Sequence, residues 1–181
     1  MSLPDHIFKP ERYTYQDYLL WKGDWEMVNG YPYSMAPSPN RNHQWFATKF
    51  IQKTGIELDK INSNCPCEVY SELDWVIDDD SVVRPDCMIV CGNFTNDFLT
   101  FPPKLIVEIS STSTRLRDRN TKYNLYEMKE VEYYIISNTE SKTVEVFELV
   151  SGKYVQKTDK AFNLTENCTI NLDVYSIWQL M

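Results

Sequence analysis

The spacing of hydrophobic and polar residues predicts a chain in which helices and short strands alternate. Apolar residues recur at helical intervals over about residues 42–61, and a second helix is predicted over about residues 115–128. Short apolar runs bounded by turn residues predict strands. The most apolar run, residues 105–109, predicts a strand that is covered on both faces, although a glutamate stands inside it.

Local signals near the N-terminus predict a short helix and a hairpin. Thr14, with Asp17 three residues later, is typical of a helix N-cap. The Asn-Gly pair at 29–30 suits the positive φ angles of a tight turn, and it predicts a hairpin of residues 25–28 and 31–35.

The rest of the chain is predicted to be rich in strands. The further predicted strands are residues 68–70, 73–77, 82–83 continuing through Pro85 into 87–90, 132–137, 144–149 and 154–157. This order of elements indicates an α/β or α+β fold, with a mixed central sheet flanked by helices and an N-terminal hairpin. We expect a single domain over residues 1–181, because domains usually hold roughly 100–200 residues.

Composition and charge narrow the class of protein. With 43% hydrophobic and 14% aromatic residues, the chain can bury a core, which excludes wholesale disorder. The net charge of −8 excludes a generally basic surface, so contact with nucleic acid requires a local basic strip. No apolar run approaches the ~20 residues that span a bilayer. Residues 1–9 lack the pattern of a secretory signal, so we expect a cytoplasmic protein with no membrane partner.

The five cysteines, at 65, 67, 87, 91 and 168, are predicted to be reduced because no export signal is visible. A zinc site of Cys65, Cys67, Cys87 and Cys91 is a competing interpretation. Structural zinc sites usually separate paired cysteines by about two to four residues, a spacing that only the second pair has, inside a predicted strand. We therefore interpret the cysteines as small buried hydrophobic residues.

Glu108 is the anomaly of the apolar strand, because a buried carboxylate costs several kcal/mol unless it is paired or bound to a metal. Upstream, Asp86 follows Pro85, and proline places the chain at a strand edge, end or bulge. If the two strands pair, Asp86 and Glu108 converge as a minimal Mg²⁺ site. Two alternatives stay open: Pro-Asp is a common turn pair, and Glu108 could meet an arginine of a neighbouring helix.

The helix predicted after Glu108 carries polar residues on one face. Asp118, Lys122 and Tyr126 follow one another at intervals of four residues, so Lys122 could place an ammonium beside an attacking water or a scissile phosphate. The alternative is an ordinary surface pair of Asp118 and Lys122, worth about 0.3–0.5 kcal/mol.

Two further candidates for phosphate contact are open to a structural interpretation. Arg115, Arg117 and Arg119 form, with Lys122, a dense basic cluster that suits a phosphate backbone or, equally, a solvated helix face. His43, just inside a predicted helix N-terminus, is a candidate general base or phosphate contact, or else a structural histidine of the preceding loop.

Ordered sequence blocks carry a resemblance to a known family. The blocks are WEMVNG at 25–30, MAPSP at 35–39 with His43, VRPD at 83–86, PKLIVEISSTST at 103–114, Asp118-Arg119 with Lys122 and Tyr126, and VEYYII at 131–136. In this order and spacing they resemble the Uma-type restriction endonuclease family, over roughly residues 14–157. Ordered blocks are more specific than any one motif.

The resemblance implies a restriction-endonuclease-like fold of the PD-(D/E)XK superfamily, whose acidic residues bind Mg²⁺ and whose members cleave phosphodiesters. Carried over, Asp86 and Glu108 are catalytic metal ligands, and Glu26 is a third acidic ligand or a contact of metal-bound water. The superfamily lysine would stand two residues after Glu108, where this chain has Ser110. The resemblance offers Lys122 in its place, with Ser110 and Asp118 peripheral to the site.

We therefore expect an endonuclease that acts on DNA with Mg²⁺, or with Mn²⁺ in its place, as a homodimer by analogy with restriction enzymes. The alternative is a catalytically weak or inactive nuclease-fold module for nucleic-acid binding or protein assembly. The charge of −8 and Ser110 favour this module, whereas Asp86, Glu108 and Lys122 together favour the enzyme. A third alternative is a phosphodiesterase that acts on RNA or a nucleotide.

Overall fold

The computed structural model of the protein describes residues 11–35, 38–61, 65–111 and 114–181. Residues 1–9, 36–37 and 112–113, which entered the predictions above, lie outside these ranges. Within the described ranges, no helix combines the length and apolar character that crossing a bilayer requires.

The described elements follow the predicted order, with additions at the C-terminus. The helices are α1 (Tyr15–Tyr18), α2 (Arg41–Asp59), a π-helical turn (Arg117–Lys122) that leads into α3 (Tyr123–Met128), and a 3-10 helix (Ile177–Leu180). The strands are β1 (Trp25–Val28), β2 (Tyr31–Ser34), β3 (Cys67–Ser71), β4 (Trp75–Asp78), β5 (Ser81–Val83), β6 (Cys87–Cys91), β7 (Leu105–Ser110), β8 (Tyr133–Asn138), β9 (Val144–Val150), β10 (Lys153–Gln156), β11 (Ala161–Thr165) and β12 (Cys168–Asn171).

A mixed sheet with the strand order β10-β9-β8-β7-β6-β3 forms the centre of the protein. β7 and β8 are parallel, and the other neighbours are antiparallel. Every residue of β7 is buried because both of its faces are covered. Leu105, Val107 and Ile109 pack in the core that contains α2 residues, whereas Ile106 packs with Tyr126 of α3 on the other face. The predicted α+β fold with a mixed central sheet is confirmed.

A second sheet, with the strand order β2-β1-β5-β4, contains the predicted N-terminal hairpin. Asn29 and Gly30 have φ angles of 52° and 75°, as the predicted turn requires. A Cβ on Gly30 would lie 3.0 Å from the Cβ of Arg12, so a side chain there would meet both strain and crowding. The predicted cap of α1 is also present, because Thr14 and Asp17 form a reciprocal capping box.

The segment predicted to run through Pro85 is two strands in two different sheets. β5 belongs to the sheet of the hairpin, and β6 belongs to the central sheet. Pro85 lies between them, where a residue without an N–H donor breaks no ladder hydrogen bond. The chain therefore crosses from one sheet to the other at Pro85 and Asp86.

The hairpin of β11 and β12 was not predicted, because each strand offers only a short apolar alternation. Phe162 and Leu164 are buried with Asn163 exposed between them, and Cys168 and Ile170 repeat this pattern. All four buried residues join the core that contains α2 residues. The sheet prediction ended at residue 157, and the C-terminal segment is a further part of that core.

The prediction of five reduced cysteines is wrong for four of them. The structure joins Cys65 to Cys168 and Cys67 to Cys91, and it leaves only Cys87 free. Cys67 and Cys91 face each other across β3 and β6, and β12 brings Cys168 to Cys65 over a sequence separation of 103 residues. Neither the strand register nor the fold of β12 is visible in cysteine spacing. Cys87 is buried, as predicted for a small hydrophobic residue.

We predict that the C-terminal 3-10 helix stabilises the whole fold through Trp178. Its indole Nε1 donates to Ser137 Oγ at 3.1 Å, and its ring lies 5.1 Å from the ring of Phe46. Trp178→Ala should lower the free energy of unfolding in urea by about 3–5 kcal/mol. Leu180→Ala is the matched control, because Leu180 is 53% exposed, and it should change stability by less than about 0.5 kcal/mol. Equal losses in the two variants would contradict this role.

Candidate active site

Asp86 and Glu108 meet where β6 and β7 pair. Cys87 lies opposite Val107 in this antiparallel pair, so Asp86 comes one position before the pair and Glu108 one position after it. The carboxylate Oδ2 of Asp86 accepts a hydrogen bond from the backbone N–H of Ile109 at 2.6 Å. Asp86 and Glu108 both line a cleft of about 880 Å³. The expected strand pairing is therefore present, and it brings the two side chains into one cleft.

Glu108 is held by two donors from the helical segment that follows β7. Its Oε1 accepts from Lys122 Nζ at 2.8 Å and from the hydroxyl of Tyr126 at 2.7 Å. Burial raises the pKa of Glu108 well above its usual range, against the opposing charge of Lys122, and Asp86 adds to the rise. The sequence left open an arginine as the partner of Glu108. In the structure, its partners are a lysine and a tyrosine.

Lys122 lies between two carboxylates and is almost fully buried, with 2% of its side chain exposed. Its Nζ is 2.6 Å from Oε1 of Glu26 and 2.8 Å from Oε1 of Glu108. Burial alone lowers the pKa of Lys122, but the charges of Glu108 and Glu26 outweigh it and raise the pKa above its ordinary value. Lys122 is therefore a fixed ammonium that joins β1 to β7.

The π-helical turn and α3 together direct three polar residues at the sheet. Asp118, Lys122 and Tyr126 are all buried, so the prediction that they share one face is confirmed. A π turn is wider than an α turn, and such turns occur frequently at functional sites. The alternative of a surface Asp118–Lys122 pair is wrong, because Lys122 bonds to the glutamates and Asp118 Oδ2 accepts from Ser110 Oγ at 2.7 Å.

Asp118 is a second buried acidic group that faces the cleft. Ser110, which stands where the superfamily lysine was expected, holds one of its oxygens. The other oxygen, Oδ1, is buried and has no hydrogen-bond partner among the residues that the structure describes. Burial raises the pKa of Asp118, although Lys122 and Ser110 oppose the rise. An unpartnered buried oxygen is unusual in a folded protein and is typical of a site that receives a ligand.

His43 is an ionic partner of Asp86. Asn40 caps α2 by accepting from the backbone N–H of His43, and Nε2 of His43 lies 3.0 Å from Oδ1 of Asp86. Burial lowers the pKa of His43, but the hydrogen bond and the charge of Asp86 outweigh it, so the pKa is raised above its ordinary value. The histidine thus contacts the acidic site directly from the first turn of α2.

The three predicted phosphate-binding arginines do not form a single patch. Arg117 lines the cleft, with its NH1 3.5 Å from Glu26 Oε2 and its guanidinium over the ring of Tyr33. Arg119 is paired with Glu145 on β9, and Arg115 is exposed. The structure therefore directs one arginine of the cluster into the cleft.

Arg84, which organises the site, was not identified as a site residue from the sequence. Its backbone N–H donates to Glu26 Oε1 at 2.9 Å, and its side chain pairs with Asp74 at 2.6 Å and with Asp24 at 2.9 Å. These hydrogen bonds, that of Asp74 above all, raise the pKa of Arg84. The available signal was its place in the VRPD block, directly before Pro85.

The donor set suits a hard divalent cation at Asp86 and Glu108. Both offer carboxylate oxygens in the cleft, and Asp118 lines the same cleft. Glu26 is not placed as a third ligand of such a cation, because its Oε1 is bonded to Lys122 and to the N–H of Arg84. Among the described residues, the only group of three whose ligand atoms all lie within 4.8 Å consists of cysteines, so neither Glu26 nor Asp118 completes such a group with Asp86 and Glu108.

Comparison with known proteins agrees with the fold and identifies the family. A family model described as "Uma2: Putative restriction endonuclease" matches residues 15–175. The chain is similar in structure to a protein from Anabaena variabilis ATCC 29413, described as a putative nuclease belonging to DUF820, with a TM-score of 0.70 and 12% identity over 91% of this chain and 98% of that one. None of the curated proteins compared with the chain matches it. Because the family model covers most of its length, this chain belongs to the Uma2 family.

Proposed function

We propose that the protein is a metal-dependent endonuclease that hydrolyses phosphodiester bonds of DNA. The observation that carries this proposal is the convergence of Asp86, Glu108 and Lys122 in one cleft, from two paired strands and the segment that follows them. The Uma2 family match supports the same class of reaction, and the fold is similar to that of a protein described as a putative nuclease. DNA is the substrate that we infer from the restriction-type family.

Asp86 and Glu108 are the residues that would hold Mg²⁺, or Mn²⁺ in its place. The ion would polarise a phosphate oxygen and lower the pKa of a bound water. Asp86 is positioned for this role by the N–H of Ile109 and by His43, each of which bonds a different oxygen. These contacts fix the plane of the carboxylate, so we assign His43 to orienting Asp86.

Lys122 contributes a preorganised positive charge at the wall of the cleft. An ammonium has three N–H donors, and Glu26 and Glu108 each accept one of them. The third donor can bond a phosphate oxygen or a water in the cleft. Because its partners already hold it in place, Lys122 need not reorganise as negative charge develops on the phosphate.

The DNA-binding surface is proposed to be local, because the chain carries a net charge of −8. Arg117 is the basic residue of the cluster that faces the cleft, and Arg115 is exposed beside it. Both can contact backbone phosphates, which hold DNA in register without reading its sequence. A homodimer would present two such clefts to the two strands of a duplex.

One observation favours the competing proposal of a module that does not cleave. Lys122 bonds both Glu26 and Glu108, and Arg117 pairs with Glu26, so two positive charges balance the two carboxylates without an added cation. Such a module could bind nucleic acid through Arg117 while leaving the phosphodiester bond intact. The following experiment distinguishes the two proposals.

We predict that the protein nicks or cuts supercoiled plasmid when Mg²⁺ or Mn²⁺ is added, and that chelation stops the reaction. Asp86→Asn and Glu108→Gln should each lower the rate on the order of 10²-fold or more, because each removes a metal-binding charge. Asp97→Asn and Glu166→Gln are matched controls, since both residues are exposed and lie outside the cleft.

Three outcomes would decide against DNA cleavage as proposed. No metal-dependent cleavage by the wild-type protein, with DNA retained in a mobility-shift assay, supports the non-cleaving module. Cleavage of RNA or of a small phosphodiester alone supports the third alternative. Cleavage that survives both substitutions at 86 and 108 would show that a contaminating nuclease is responsible.

We also predict that Lys122 stabilises the fold in a pH-dependent way. Lys122→Met leaves Glu108 buried without a cation, while Glu26 keeps the guanidinium of Arg117 at 3.5 Å, and the change should cost about 3–5 kcal/mol near neutral pH. Burial raises the pKa of Glu108 even beside Lys122, and removing that charge raises it further, so the folded variant takes up protons more readily than the unfolded chain does. The loss should therefore shrink as the pH falls towards the ordinary glutamate pKa of about 4.3.

Urea denaturation at several pH values measures this effect. Lys129→Met is the matched control: Lys129 pairs with Asp78 at the surface, and its loss should cost at most about 1 kcal/mol. Adding Glu108→Gln to Lys122→Met should recover part of the stability at neutral pH. A loss in Lys122→Met that is no larger than in Lys129→Met, or that does not vary with pH, would contradict the buried ion-pair role.

A further inference from the structure

Four cysteines from separate parts of the chain bring their sulfur atoms together away from the candidate active site. Cys65 and Cys67 flank Pro66 at the start of β3, Cys91 ends β6 and Cys168 begins β12. The sulfurs of Cys65, Cys67 and Cys168 all lie within 4.8 Å of one another. The sulfur of Cys91 is bonded to that of Cys67 at 2.03 Å. The sequence pattern suggested a different set, with Cys87 in place of Cys168.

We propose that these four cysteines form a tetrathiolate Zn²⁺ site when the protein is reduced. In a tetrahedral site with Zn–S bonds of about 2.3 Å, neighbouring sulfurs are about 3.8 Å apart. The sulfurs of Cys65, Cys67 and Cys168 already lie within 4.8 Å of one another, with Cys65 bonded to Cys168. Reduction of both disulfides would free the bonded sulfurs of Cys65 and Cys168, and of Cys67 and Cys91, to take this separation around an ion. Four soft thiolates are a ligand set that selects zinc over Mg²⁺ or Ca²⁺.

The backbone around the cluster supports a closed structural site. The N–H of Gly92 donates to the carbonyl of Pro66 at 2.9 Å, which ties the turn that bears Cys65 and Cys67 to the end of β6. Cys67 and Cys168 are buried, and Cys65 and Cys91 are half-buried. A cavity of about 340 Å³ beside Cys65 and Cys67 opens to solvent and offers an entry path for the ion.

Zinc binding needs no oxidant or reductant once the cysteines are thiols. The four S–H bonds break, four Zn–S bonds form and four protons leave to solvent. From the disulfide form, each S–S bond must first take up two electrons and two protons from a thiol reductant. The two disulfides in the structure are thus the oxidised form of the same cluster.

The proposed site is structural, and it lies outside the proposed nuclease chemistry. None of its four cysteines lines the cleft that contains Asp86 and Glu108. Its ligands join the edge strand β3, its neighbour β6 and the β11–β12 hairpin, over a sequence separation of 103 residues between Cys65 and Cys168. An ion there would close a long loop of the chain and fix the hairpin to the central sheet.

The test uses the full-length chain, produced with added zinc and purified in a phosphine reductant. Metal analysis after gel filtration should give one zinc per chain for the wild type. Cys87→Ser is the matched control, because Cys87 is free, buried and outside the cluster; this variant should keep its zinc. Cys65→Ser and Cys91→Ser, at half-buried positions, should each lower the zinc content at least about tenfold.

A second measurement on the unaltered protein covers the case in which a variant fails to fold. Titration of the reduced wild type with Co²⁺ should give the intense visible bands of a tetrahedral thiolate site, saturating at one ion per chain, and Zn²⁺ should displace it. Reduced wild-type protein that is folded but retains no zinc and gives no tetrahedral cobalt spectrum would overturn the proposal. Mass analysis that finds both disulfides intact under reductant would overturn it as well. Neither result bears on plasmid cleavage.

Discussion

The buried ammonium of Lys122, bonded to both Glu26 and Glu108, is the contact on which the site depends. Moving any one of these charges from water into the interior costs several kcal/mol, and only the correct assembly of all three offsets that cost. Glu26 comes from β1 in one sheet, Glu108 from β7 in the other, and Lys122 from the π-helical turn. The interaction therefore penalises any arrangement in which the two sheets and the helical segment are not joined as they are here.

The contact of Lys122 with Glu26 and Glu108 also limits how the cleft can bind a cation. Lys122 occupies one oxygen of Glu108, and Tyr126 donates to that same oxygen. Asp86 is held separately, by Ile109 and His43. A cation that enters beside Asp86 therefore meets a carboxylate at Glu108 whose orientation is already fixed. Such preorganisation favours metal-dependent phosphodiester chemistry. The positive charge of Lys122 beside Glu108 lowers the attraction of the site for the cation. The balance between these two effects determines the metal affinity.

The sequence predicted the site best where a residue violated its local pattern. Glu108 stands out in a wholly apolar strand, and Lys122 follows at a helical interval from Asp118, so both could be identified from spacing. The partner of Lys122 on β1 could not be derived in this way, because Glu26 lies in another sheet and its pairing depends on the tertiary fold. The resemblance identified Glu26 as important but assigned it to the metal, whereas its nearest described partners are Lys122 and Arg84.

The cysteines show the same limit, because long-range pairing depends on strand register rather than on spacing. Cys67 faces Cys91 across β3 and β6, and a slip of one residue would turn the side chains of either strand to the opposite face. β6 is short: it begins directly after Asp86 and ends at Cys91. A crosslink at Cys91, through sulfur or through a shared ion, fixes the register of β6 against β3, whereas the register that presents Asp86 to Glu108 is that of β6 against β7. The cysteine cluster and the acidic cleft lie at opposite ends of β6, and each depends on the register of a different strand pair.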